Sequence, residues 1–512
     1  MMWLRILRYY SMLITLAQSQ SNESIPDRSY TTSMSGKLEL LKLNVELIEN
    51  LNNYVNQMQQ KIDKLSRLSQ QLANPLKLAM GREKEFLSNP FNIFSLIRHM
   101  SNDWTQLESV MQQPVVQAQM DYMRERRAQL PQFEDLEEAA AAMHRIQVTF
   151  RLDPMEMANG WLDGTQYDAR LSYLDCFELG KHSFRMDDMG NATNWLLTAR
   201  QLMAKESPSD LYEILNVTSS DIAWYLANSL AAAGNLNEAR DVLLNEPKLN
   251  SRTEELLAEF MKYEKPEYPH DPEMQEADEK YTRLCGASHK PKPSRLICNY
   301  KMDSSPFLRL APLKMEMLSM DPYVVVFHEA IYDSEIDELR RLCESRLSRT
   351  EIAKQGKNKS IRSSSGVWIF ELDLNRQQLE LLERIRRRVA DMSGLLIDFN
   401  SQEVQYMEYV FGGHYYPHWD FKGIPHLEDR IATVLFYLND VARGGATIFP
   451  DLELLVQPER GKVLHWHNMD LGTYDLEKRS LHGACPVIMG KKEVISHWIR
   501  DWDQMFIRPC IA

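Results

Sequence analysis

Apolar residues near the start of the chain recur at alternating spacings of three and four. Between residues 37 and 72 they fall at Leu41, Ile48, Leu51, Val55, Met58, Ile62, Leu65 and Leu72. This heptad seam predicts one long helix whose apolar edge packs against another helix. Asn44 and Ser69 interrupt the seam, and a polar seam residue often fixes the register of a coiled coil. The pattern favours a self-associating coiled coil, with the inner face of an intramolecular helical bundle as the alternative.

Helical periodicity continues further along the chain. It breaks at Ser88-Asn89-Pro90, resumes from 92 to 111, and dominates the segment from about 140 to 250. Two helix pairs are predicted there, 171–184 with 191–204 and 220–233 with 236–244. The turn AAGNLNEA at 232–239 resembles tetratricopeptide units, although two units are fewer than a free-standing solenoid needs. An ordinary helical bundle is the alternative.

After about residue 320 the pattern changes to short apolar runs separated by Gly, Pro and Asp. Such runs predict β-strands. They are YVVVFHEAI, GVWIFEL, VQYMEYVF, RIATVLFYL, GATIFP, GKVLHWH and EVISHWI. Together they indicate a sandwich or jelly roll, with helices near 333–347 and 376–392 beside it. The acidic, Pro-bearing segment from 262 to 300 is typical of a linker into this region.

Composition excludes some classes of partner. The 512 residues are 44% hydrophobic and 26% charged, which is typical of globular domains. The net charge of -13 argues against nucleic acid as the main partner, because phosphate binding requires a basic surface. No apolar run approaches the roughly 18 residues that a membrane span needs.

The N-terminus has the pattern of a secretory signal peptide. Arg5 and Arg8 precede a short apolar stretch, and Ala17-Gln18-Ser19 suits cleavage, so residues 1–19 are predicted to be removed. Four N-x-S/T sequons agree with a secretory route, at Asn22, Asn191, Asn216 and Asn358. The chain ends RPCIA, without a K-D-E-L type retention signal. If the chain stays in the endoplasmic reticulum, something other than such a signal would have to hold it there.

The segment YYPHWDF places His418 and Asp420 two residues apart on a predicted strand. Residues i and i+2 of a strand project to the same face, so both side chains can bind one metal ion. A facial triad needs one more imidazole and leaves the remaining coordination positions open. Candidates for the third ligand are His465, His467, His482 and His497, and His465 and His467 also suit a buried core strand.

His482 lies just before ACPVIMGKKEVISHWI (484–499), which is predicted as a strand, and Lys492 follows His482 by ten residues. An even separation places two residues on the same face if no bulge intervenes. A lysine there would supply a fixed positive charge for the carboxylate of a substrate or cosubstrate. The alternative, typical of most lysines, is a solvated surface side chain.

Several segments together resemble a known family. They are YVFGGHYYPHWDF (409–421), RIATVLFYLNDVARGGATIFP (430–450), HGACPVIMGKK (482–492) and the terminal FIRPC. These resemble the catalytic domain of collagen prolyl 4-hydroxylase alpha subunits, a double-stranded β-helix. The resemblance continues through DCFELGK, SNPFNIFSLIRHMSNDWTQLESVM and AWYLANSLAAAGNLNEA, and so covers nearly the whole chain.

The resemblance implies a multidomain α+β chain. Its parts are a signal peptide (1–19), a coiled-coil dimerisation domain (20–135), a tetratricopeptide-like peptide-binding domain (140–250), a linker (251–320) and a dioxygenase domain (321–512). The implied reaction is hydroxylation of proline in X-Pro-Gly sequences with Fe(II), 2-oxoglutarate, dioxygen and L-ascorbate. The implied partner is protein disulfide isomerase, in an alpha2-beta2 tetramer of the endoplasmic reticulum lumen.

The resemblance also implies roles for individual residues. His418, Asp420 and His482 would hold iron, and Lys492 would pair with the far carboxylate of 2-oxoglutarate. Tyr409, Thr433 and Trp498 would line the cosubstrate pocket, while Arg430 and Tyr225 would contact the peptide substrate. Proximity along the chain and the resemblance both suggest disulfides Cys285–Cys298 and Cys485–Cys510. Cys176 and Cys343 lie in helix-like stretches and are expected to be buried and free.

The chain also departs from this family. Arg500 stands where the family has a histidine, Glu493 replaces a tryptophan, and Ser480-Leu481 replaces Thr-Arg. Met189-Gly190, Asn228 and Ala231 occupy helical positions where aromatic residues are expected, which leaves Tyr225. Two other functions therefore stay open: a hydroxylase for a non-collagen secreted protein, and a catalytically weak peptide-binding scaffold.

Overall fold

The computed structural model describes residues 30–162, 164–207, 209–262, 276–286, 298–350, 362–397, 403–424 and 428–504. The predicted signal peptide, Asn22, Asn358 and Cys510 lie outside the described residues. No helix in the described part of the chain is long and apolar enough to cross a membrane. The chain divides into two compact units, one of residues 37–132 and one of the other described residues.

The smaller unit is helical. Its first helix, α1 (Met34–Leu72), has 39 residues and covers the predicted heptad segment. The helices that follow are α2 (Asn74–Ala79), α3 (Glu83–Ser88), α4 (Pro90–Arg98), α5 (Trp104–Gln112) and α6 (Gln117–Arg126). Most of the seam is exposed within this unit, at Leu41, Ile48, Leu51, Val55, Met58 and Ile62. The inner face of a bundle within this unit, the alternative for the seam, would have buried these side chains.

The larger unit begins with a helical region. Its helices are α7 (Phe133–Phe150), α8 (Pro154–Ala158), α9 (Tyr173–Arg185), α10 (Met189–Met203), α11 (Asp210–Leu215), α12 (Ser219–Ala232), α13 (Leu236–Leu244) and α14 (Ser251–Phe260), with a hairpin of β1 (Trp161–Leu162) and β2 (Thr165–Gln166). The two predicted pairs are present, α9 with α10 and α12 with α13. Capping boxes at Ser172 and Thr218 start the first helix of each pair. Trp195 and Ile222 lie in the buried core between the helices.

Two antiparallel sheets form the C-terminal region. The nine-stranded sheet has the order β3-β4-β5-β15-β11-β18-β9-β8-β6, and the five-stranded sheet the order β14-β13-β16-β10-β7. The strands of the first are β3 (Cys298–Lys301), β4 (Leu313–Met320), β5 (Tyr323–His328), β6 (Ser348–Arg349), β8 (Ser365–Trp368), β9 (Glu403–Tyr409), β11 (Arg430–Tyr437), β15 (Val463–His467) and β18 (Lys492–Arg500). Those of the second are β7 (Arg362–Ser363), β10 (His414–His418), β13 (Thr447–Phe449), β14 (Leu454–Val456) and β16 (His482–Ala484). A separate pair joins β12 (Arg443–Gly444) to β17 (Val487–Met489).

Alternation along β11 shows how the sheets are layered. Val434 and Phe436 face helices α16 (Asp333–Cys343) and α17 (Arg376–Ser393), which cover one side of the large sheet. Leu435 and Tyr437 face the other way, into a second core shared with the five-stranded sheet. Because side chains alternate along a strand, one strand contributes to both cores. The result is the predicted sandwich, with helices beside it.

The described residues of the predicted linker over 251–320 include helices and strands. Helix α15 (Glu276–Cys285) packs on the five-stranded sheet, and β3 and β4 extend the nine-stranded sheet through pairing with β5. The predicted domain boundary at residue 321 therefore falls between β4 and β5. The charged and Pro-bearing composition of the segment obscured these elements, because their pairing partners lie later in the chain.

The disulfide pairing also differs from the prediction. Cys285 bonds to Cys485, 200 residues away, while Cys298 is free and exposed. The predicted Cys285–Cys298 and Cys485–Cys510 pairs are therefore wrong in this structure. Proximity along the sequence misled the assignment, because α15 lies on β16 and the segment after it. Cys176 and Cys343 are buried and free, as expected.

Candidate active site

Neighbouring strands bring three predicted ligand residues together. His418 ends β10, His482 begins β16, and the two residues are direct partners in the antiparallel register. Asp420 lies two residues beyond the end of β10. One ligand atom from each of these three side chains lies within 4.8 Å of the others. The three residues thus form one compact cluster of two imidazoles and a carboxylate.

Backbone carbonyls set the tautomer of both histidines. The Nδ1 atom of His418 lies 2.8 Å from the Tyr416 carbonyl oxygen, and that of His482 lies 3.0 Å from the Ser480 carbonyl oxygen. A carbonyl only accepts, so Nδ1 carries the proton in each ring. Each Nε2 is then an unprotonated lone pair, 3.7 Å from an oxygen of Asp420. This is the form in which an imidazole binds a metal.

The electrostatics favour the same protonation states. Burial, followed by repulsion from His482, lowers the pKa of His418 to about 3, and burial also lowers the pKa of His482. Burial alone would raise the pKa of Asp420. Attraction to His482, His418 and Arg430, with a hydrogen bond from Thr433, outweighs burial and lowers that pKa to about 2. Two neutral imidazoles and one carboxylate are therefore present at neutral pH.

Lys492 faces this cluster from the opposite sheet. His482 and the segment 484–499, which was predicted as one strand, fall in three strands that belong to different sheets. Pro486 and Gly490 separate them, and Gly490 has a φ of +90°, which favours glycine. The prediction that His482 and Lys492 share one strand face is therefore not met. They line one cavity from opposite sides.

The Lys492 ammonium group is buried and has few partners. Its Nζ atom donates to the Thr447 hydroxyl at 3.2 Å and lies 5.6 Å from the ring centres of Tyr409 and Tyr437. Burial lowers the Lys492 pKa to about 7. The side chain is only 2% exposed, so it is a binding group rather than a surface lysine. An anionic carboxylate is the natural partner of such an ammonium.

The cavity between the sheets has a volume of about 590 Å³. The metal-ligand candidates, Lys492, Tyr409, Trp498 and Arg430 all line it. Thr433, which was expected to line it too, lies behind Asp420 instead, with its hydroxyl donating to Asp420 Oδ2 at 2.7 Å. The Arg430 guanidinium is 4.0 Å from the Trp498 ring centre and 3.9 Å from Asp420 Oδ1. Arg430 is thus positioned between the cavity wall and the carboxylate.

Other cavity residues were not predicted from the sequence. Thr447 on β13 contacts Lys492, and Arg362 on β7 stacks on Tyr415 with 4.6 Å between guanidinium and ring centre. Trp368 and Trp419 are partly exposed at the cavity wall. Thr447 lies in a strand that the sequence did predict. Its neighbour across the cavity could not be inferred, because Lys492 belongs to the other sheet.

The remaining histidine candidates lie elsewhere. His465 and His497 are fully buried in the nine-stranded sheet, and neither belongs to the three-residue cluster. His465 donates from Nδ1 to the Thr433 carbonyl at 3.0 Å. His467 stacks on Tyr323. His465 and His497 are therefore core residues, while His467 is half-buried at the end of β15.

The departures from the family pattern have defined surroundings. Arg500 is buried, pairs in register with Arg430, and has its Nε atom 3.7 Å from Glu428. It is not among the residues that line the cavity. Glu493 accepts from Tyr406 and Arg340 at 2.7 and 2.6 Å, on the strand face opposite Lys492. Glu493 is likewise not among the residues that line the cavity.

Tyr225 lies on α12 in the helical region. Its ring packs edge-on against Phe177, Phe184 and Trp224. Arg252 lies over the Trp224 ring, 3.5 Å from its centre. Tyr225 is therefore one member of a partly buried aromatic cluster with an arginine on it.

The donor set fits Fe(II). The cluster has two neutral imidazoles and a carboxylate on one side and open cavity on the other. This is the facial arrangement found in non-haem iron oxygenases. A buried ammonium across the same cavity fits a cosubstrate that chelates the metal at one end and carries a carboxylate at the other. The arrangement therefore supports metal-dependent oxidation with a dicarboxylate cosubstrate.

Comparisons with known proteins agree with this chemistry. Residues 33–164 match the family model of the N-terminal region of the prolyl 4-hydroxylase alpha subunit, and residues 404–500 match the 2OG-Fe(II) oxygenase superfamily. Prolyl 4-hydroxylase subunit alpha-2 of Caenorhabditis elegans is 30% identical, with 90% of this chain and 89% of the relative aligned. Subunit alpha-1 of Homo sapiens is 29% identical over 98% of both chains.

Solved structures show a partial similarity. The viral collagen prolyl hydroxylase of Paramecium Bursaria Chlorella virus-1, in a 2OG complex, is 26% identical. The similarity covers 35% of this chain and 96% of that chain, with a TM-score of 0.29. A Pseudomonas putida prolyl-4-hydroxylase is 18% identical over 35% of this chain and 92% of that chain, with a TM-score of 0.26.

Proposed function

Because the chain belongs to the family of prolyl 4-hydroxylase alpha subunits, we propose that it hydroxylates proline at C4 in collagen-like X-Pro-Gly sequences. Its C-terminal region is a 2OG-Fe(II) oxygenase domain, which implies Fe(II) and 2-oxoglutarate. The observation that carries the proposal is the ligand cluster facing a buried lysine across one cavity.

The residues of the cavity have different roles in the proposed reaction. His418, Asp420 and His482 would hold Fe(II) through two Nε2 atoms and a carboxylate oxygen. Fe(II) and 2-oxoglutarate, when bound there, would supply the oxidative chemistry: 2-oxoglutarate and dioxygen would give succinate and CO₂, with one oxygen atom entering succinate and the other the proline C4–H bond. The protein supplies orientation and a cavity lined mostly by buried side chains. L-Ascorbate would reduce iron that has become oxidised without substrate.

Lys492 would bind the far carboxylate of 2-oxoglutarate, assisted by the Thr447 hydroxyl. The Lys492 ammonium reaches only one hydroxyl among the described residues, so it keeps donor capacity for a carboxylate. A carboxylate placed there gains a charge-assisted hydrogen bond in a buried setting. The opposite end of the cosubstrate is then directed toward the iron ligands.

The helical regions would bind peptide and partners. The two helix pairs act as a tetratricopeptide-like platform, and the aromatic cluster around Tyr225 contacts a proline-rich peptide there. Arg430 contacts the peptide at the cavity. The exposed seam of α1 forms a coiled coil with a second copy of the chain. Two protein disulfide isomerase subunits complete an alpha2-beta2 assembly and retain it in the endoplasmic reticulum lumen.

A hydroxylase for a different secreted protein is the second candidate. Asn228 and Ala231 replace expected aromatic residues on the same helix as Tyr225, which weakens binding of Pro-Pro-Gly repeats. A catalytically weak scaffold is disfavoured, because the three ligand residues and Lys492 are all in place.

The test is 2-oxoglutarate decarboxylation by the chain co-expressed with protein disulfide isomerase. We expect decarboxylation that depends on Fe(II) and increases with (Pro-Pro-Gly) peptides, and none for the His482→Ala variant. Turnover only with other proline-containing peptides would support the second candidate. Absence of decarboxylation with every peptide would support the scaffold and overturn the proposed function.

A further inference from the structure

A buried asparagine lies behind the carboxylate of the ligand cluster. Asn468 directly follows β15 and has no exposed surface. Its side-chain Nδ2 donates to the Thr433 hydroxyl at 2.9 Å, and that hydroxyl donates to Asp420 Oδ2 at 2.7 Å. These contacts form a continuous chain from Asn468 through Thr433 to Asp420. Asn468 does not line the cavity and so touches neither substrate nor cosubstrate.

The direction of this chain follows from proton counting. A threonine hydroxyl has one proton to donate, whereas an ionised carboxylate can only accept. Thr433 must therefore give its proton to Asp420, and its oxygen is left to accept from a donor. The Asn468 amide is the donor that fills this position. A reversed amide would set an acceptor against the Thr433 oxygen, and the hydroxyl proton would have two competing acceptors.

The backbone around this chain is fixed on both sides. The Asn468 N–H donates to the Ile431 carbonyl at 2.9 Å, and the Asn468 carbonyl accepts from the Glu477 N–H at 3.0 Å. His465 donates from Nδ1 to the Thr433 carbonyl at 3.0 Å. Asn468 and His465 thus hold the side chain and the backbone of Thr433 separately.

The buried amide is not fully satisfied. Asn468 Oδ1 has no hydrogen-bond partner within the part of the chain that the structure describes. An unpaired buried acceptor lowers the stability of the folded protein. A contribution to stability therefore does not explain why an asparagine occupies this position. The amide donor toward Thr433 is the contact that accounts for its presence.

We propose that Asn468 is a positioning residue for the metal site, which directs the single Thr433 proton to Asp420 and thereby fixes the orientation of that carboxylate. This inference rests on the proposed function, since it assigns Asp420 to the metal. Outer partners of metal ligands commonly contribute a factor of about 10–100 to metal affinity. Asn468 acts one residue further out, through Thr433.

The test measures Mn(II) affinity, as a redox-stable substitute for Fe(II), in the full chain assembled with protein disulfide isomerase. Asn468→Asp keeps the side-chain size but replaces the donor with an acceptor that competes for the Thr433 proton. We expect it to weaken Mn(II) binding by about tenfold or more. Asn299→Asp, which adds the same charge at an exposed position of the same sheet, is the control and should leave affinity unchanged.

A thermodynamic cycle separates positioning from general destabilisation. Thr433→Val should weaken Mn(II) binding to a similar extent. Adding Asn468→Asp to the Thr433→Val protein should not lower the Mn(II) affinity any further. Thr433→Ser, which retains the hydroxyl, should restore the wild-type affinity. If Asn468→Asp does not fold, Asn468→Ala provides the same comparison without the added charge and should give a smaller loss.

Two results would overturn the inference. One is an Asn468→Asp or Asn468→Ala protein that folds and binds Mn(II) within about twofold of wild type. The other is a double variant in which the losses at Asn468 and Thr433 multiply. Wild-type protein that binds no Mn(II) is a different result, which would contradict the proposed function itself and the inference with it.

Discussion

Each proposed histidine ligand is held in one tautomer by a carbonyl two residues before it. Tyr416 does this for His418, and Ser480 does it for His482. Local backbone geometry, rather than a charged partner, therefore leaves both Nε2 atoms free for metal. The i, i+2 spacing of His418 and Asp420 could be predicted to serve one site, because alternation along a strand is local. The Thr433 contact with Asp420 could not, since Thr433 lies on a strand of the nine-stranded sheet and Asp420 follows a strand of the five-stranded sheet.

Asp420→Asn tests the carboxylate at the residue scale. The amide keeps the shape but loses the charge that attracts the metal, and its NH₂ group conflicts with the donor from Thr433. We expect Fe(II)-dependent decarboxylation to fall below detection while the thermal unfolding midpoint stays within a few degrees of wild type. Decarboxylation near the wild-type rate would show that Asp420 is not a ligand.

Lys492→Ala tests the cosubstrate position. Removing the buried ammonium leaves a carboxylate without its charged partner, and we expect the Kd for 2-oxoglutarate to rise about 100-fold, or about 2.7 kcal/mol. This lies within the roughly 2–5 kcal/mol lost when one partner of a buried, hydrogen-bonded charge pair is removed from a binding site. Isothermal titration under anaerobic conditions measures this. An unchanged Kd would place the far carboxylate elsewhere in the cavity.

The same lysine predicts a pH dependence. Its pKa of about 7 in the empty site means that the free protein is increasingly uncharged there above neutrality. Binding of a carboxylate favours the charged form and so requires uptake of a proton above pH 7. We expect 2-oxoglutarate affinity to be highest below pH 7 and to fall by up to about tenfold per pH unit above it. Titrations in buffers of different ionisation enthalpy detect the proton taken up, and affinity independent of pH from 7 to 9 would contradict this role.

At the scale of elements, helix α7 supports the turn that leads into the ligand strand. Gly412 precedes β10 and has a φ of +64°, and a Cβ added there would lie 2.5 Å from the Ala142 Cβ on α7. Arg145 donates to the Gly412 carbonyl, and Glu138 pairs with Arg349 at 2.5 Å. The sequence predicted α7 as helix and β10 as strand. It gave no indication of their contact, because packing between elements far apart in sequence leaves no local periodicity.

Gly412→Ala tests this contact. The left-handed φ alone costs about 1–2 kcal/mol for a residue with a side chain, and the clash with α7 should add about 1–3 kcal/mol. Gly164→Ala is the matched control, because Gly164 has a φ of +74° and nothing within 4 Å of an added Cβ. We expect Gly412→Ala to lower the thermal unfolding midpoint clearly more than Gly164→Ala. Equal midpoints would show that α7 does not pack closely on this turn.

At the scale of the whole molecule, long-range pairing explains which predictions succeeded. The strands and the sandwich followed from local alternation, while the Cys285–Cys485 bond and the early start of the nine-stranded sheet did not. Both depend on residues distant in sequence. The exposed seam of α1 is the feature that points beyond a single chain.

Replacing Ile48 and Val55 with glutamate tests that seam. Charges at two seam positions oppose burial against a second copy, so we expect the assembly to lose its alpha–alpha contact. Asn53→Glu, on the same helix but off the seam, should leave assembly intact. Sedimentation of the co-expressed complex measures the mass, and an unchanged mass for the seam variant would show that α1 does not hold two copies together.

The proposed function requires that the protein hydroxylates proline at C4, with the ligand cluster binding Fe(II) and Lys492 binding 2-oxoglutarate. The most direct test incubates the co-expressed assembly with (Pro-Pro-Gly) peptides, Fe(II), 2-oxoglutarate, dioxygen and ascorbate, and identifies the product by mass spectrometry and amino-acid analysis. We predict 4-hydroxyproline in the peptide, formed in step with succinate and absent with His482→Ala. Succinate and hydroxyproline that stay at the level of the His482→Ala protein would contradict the account.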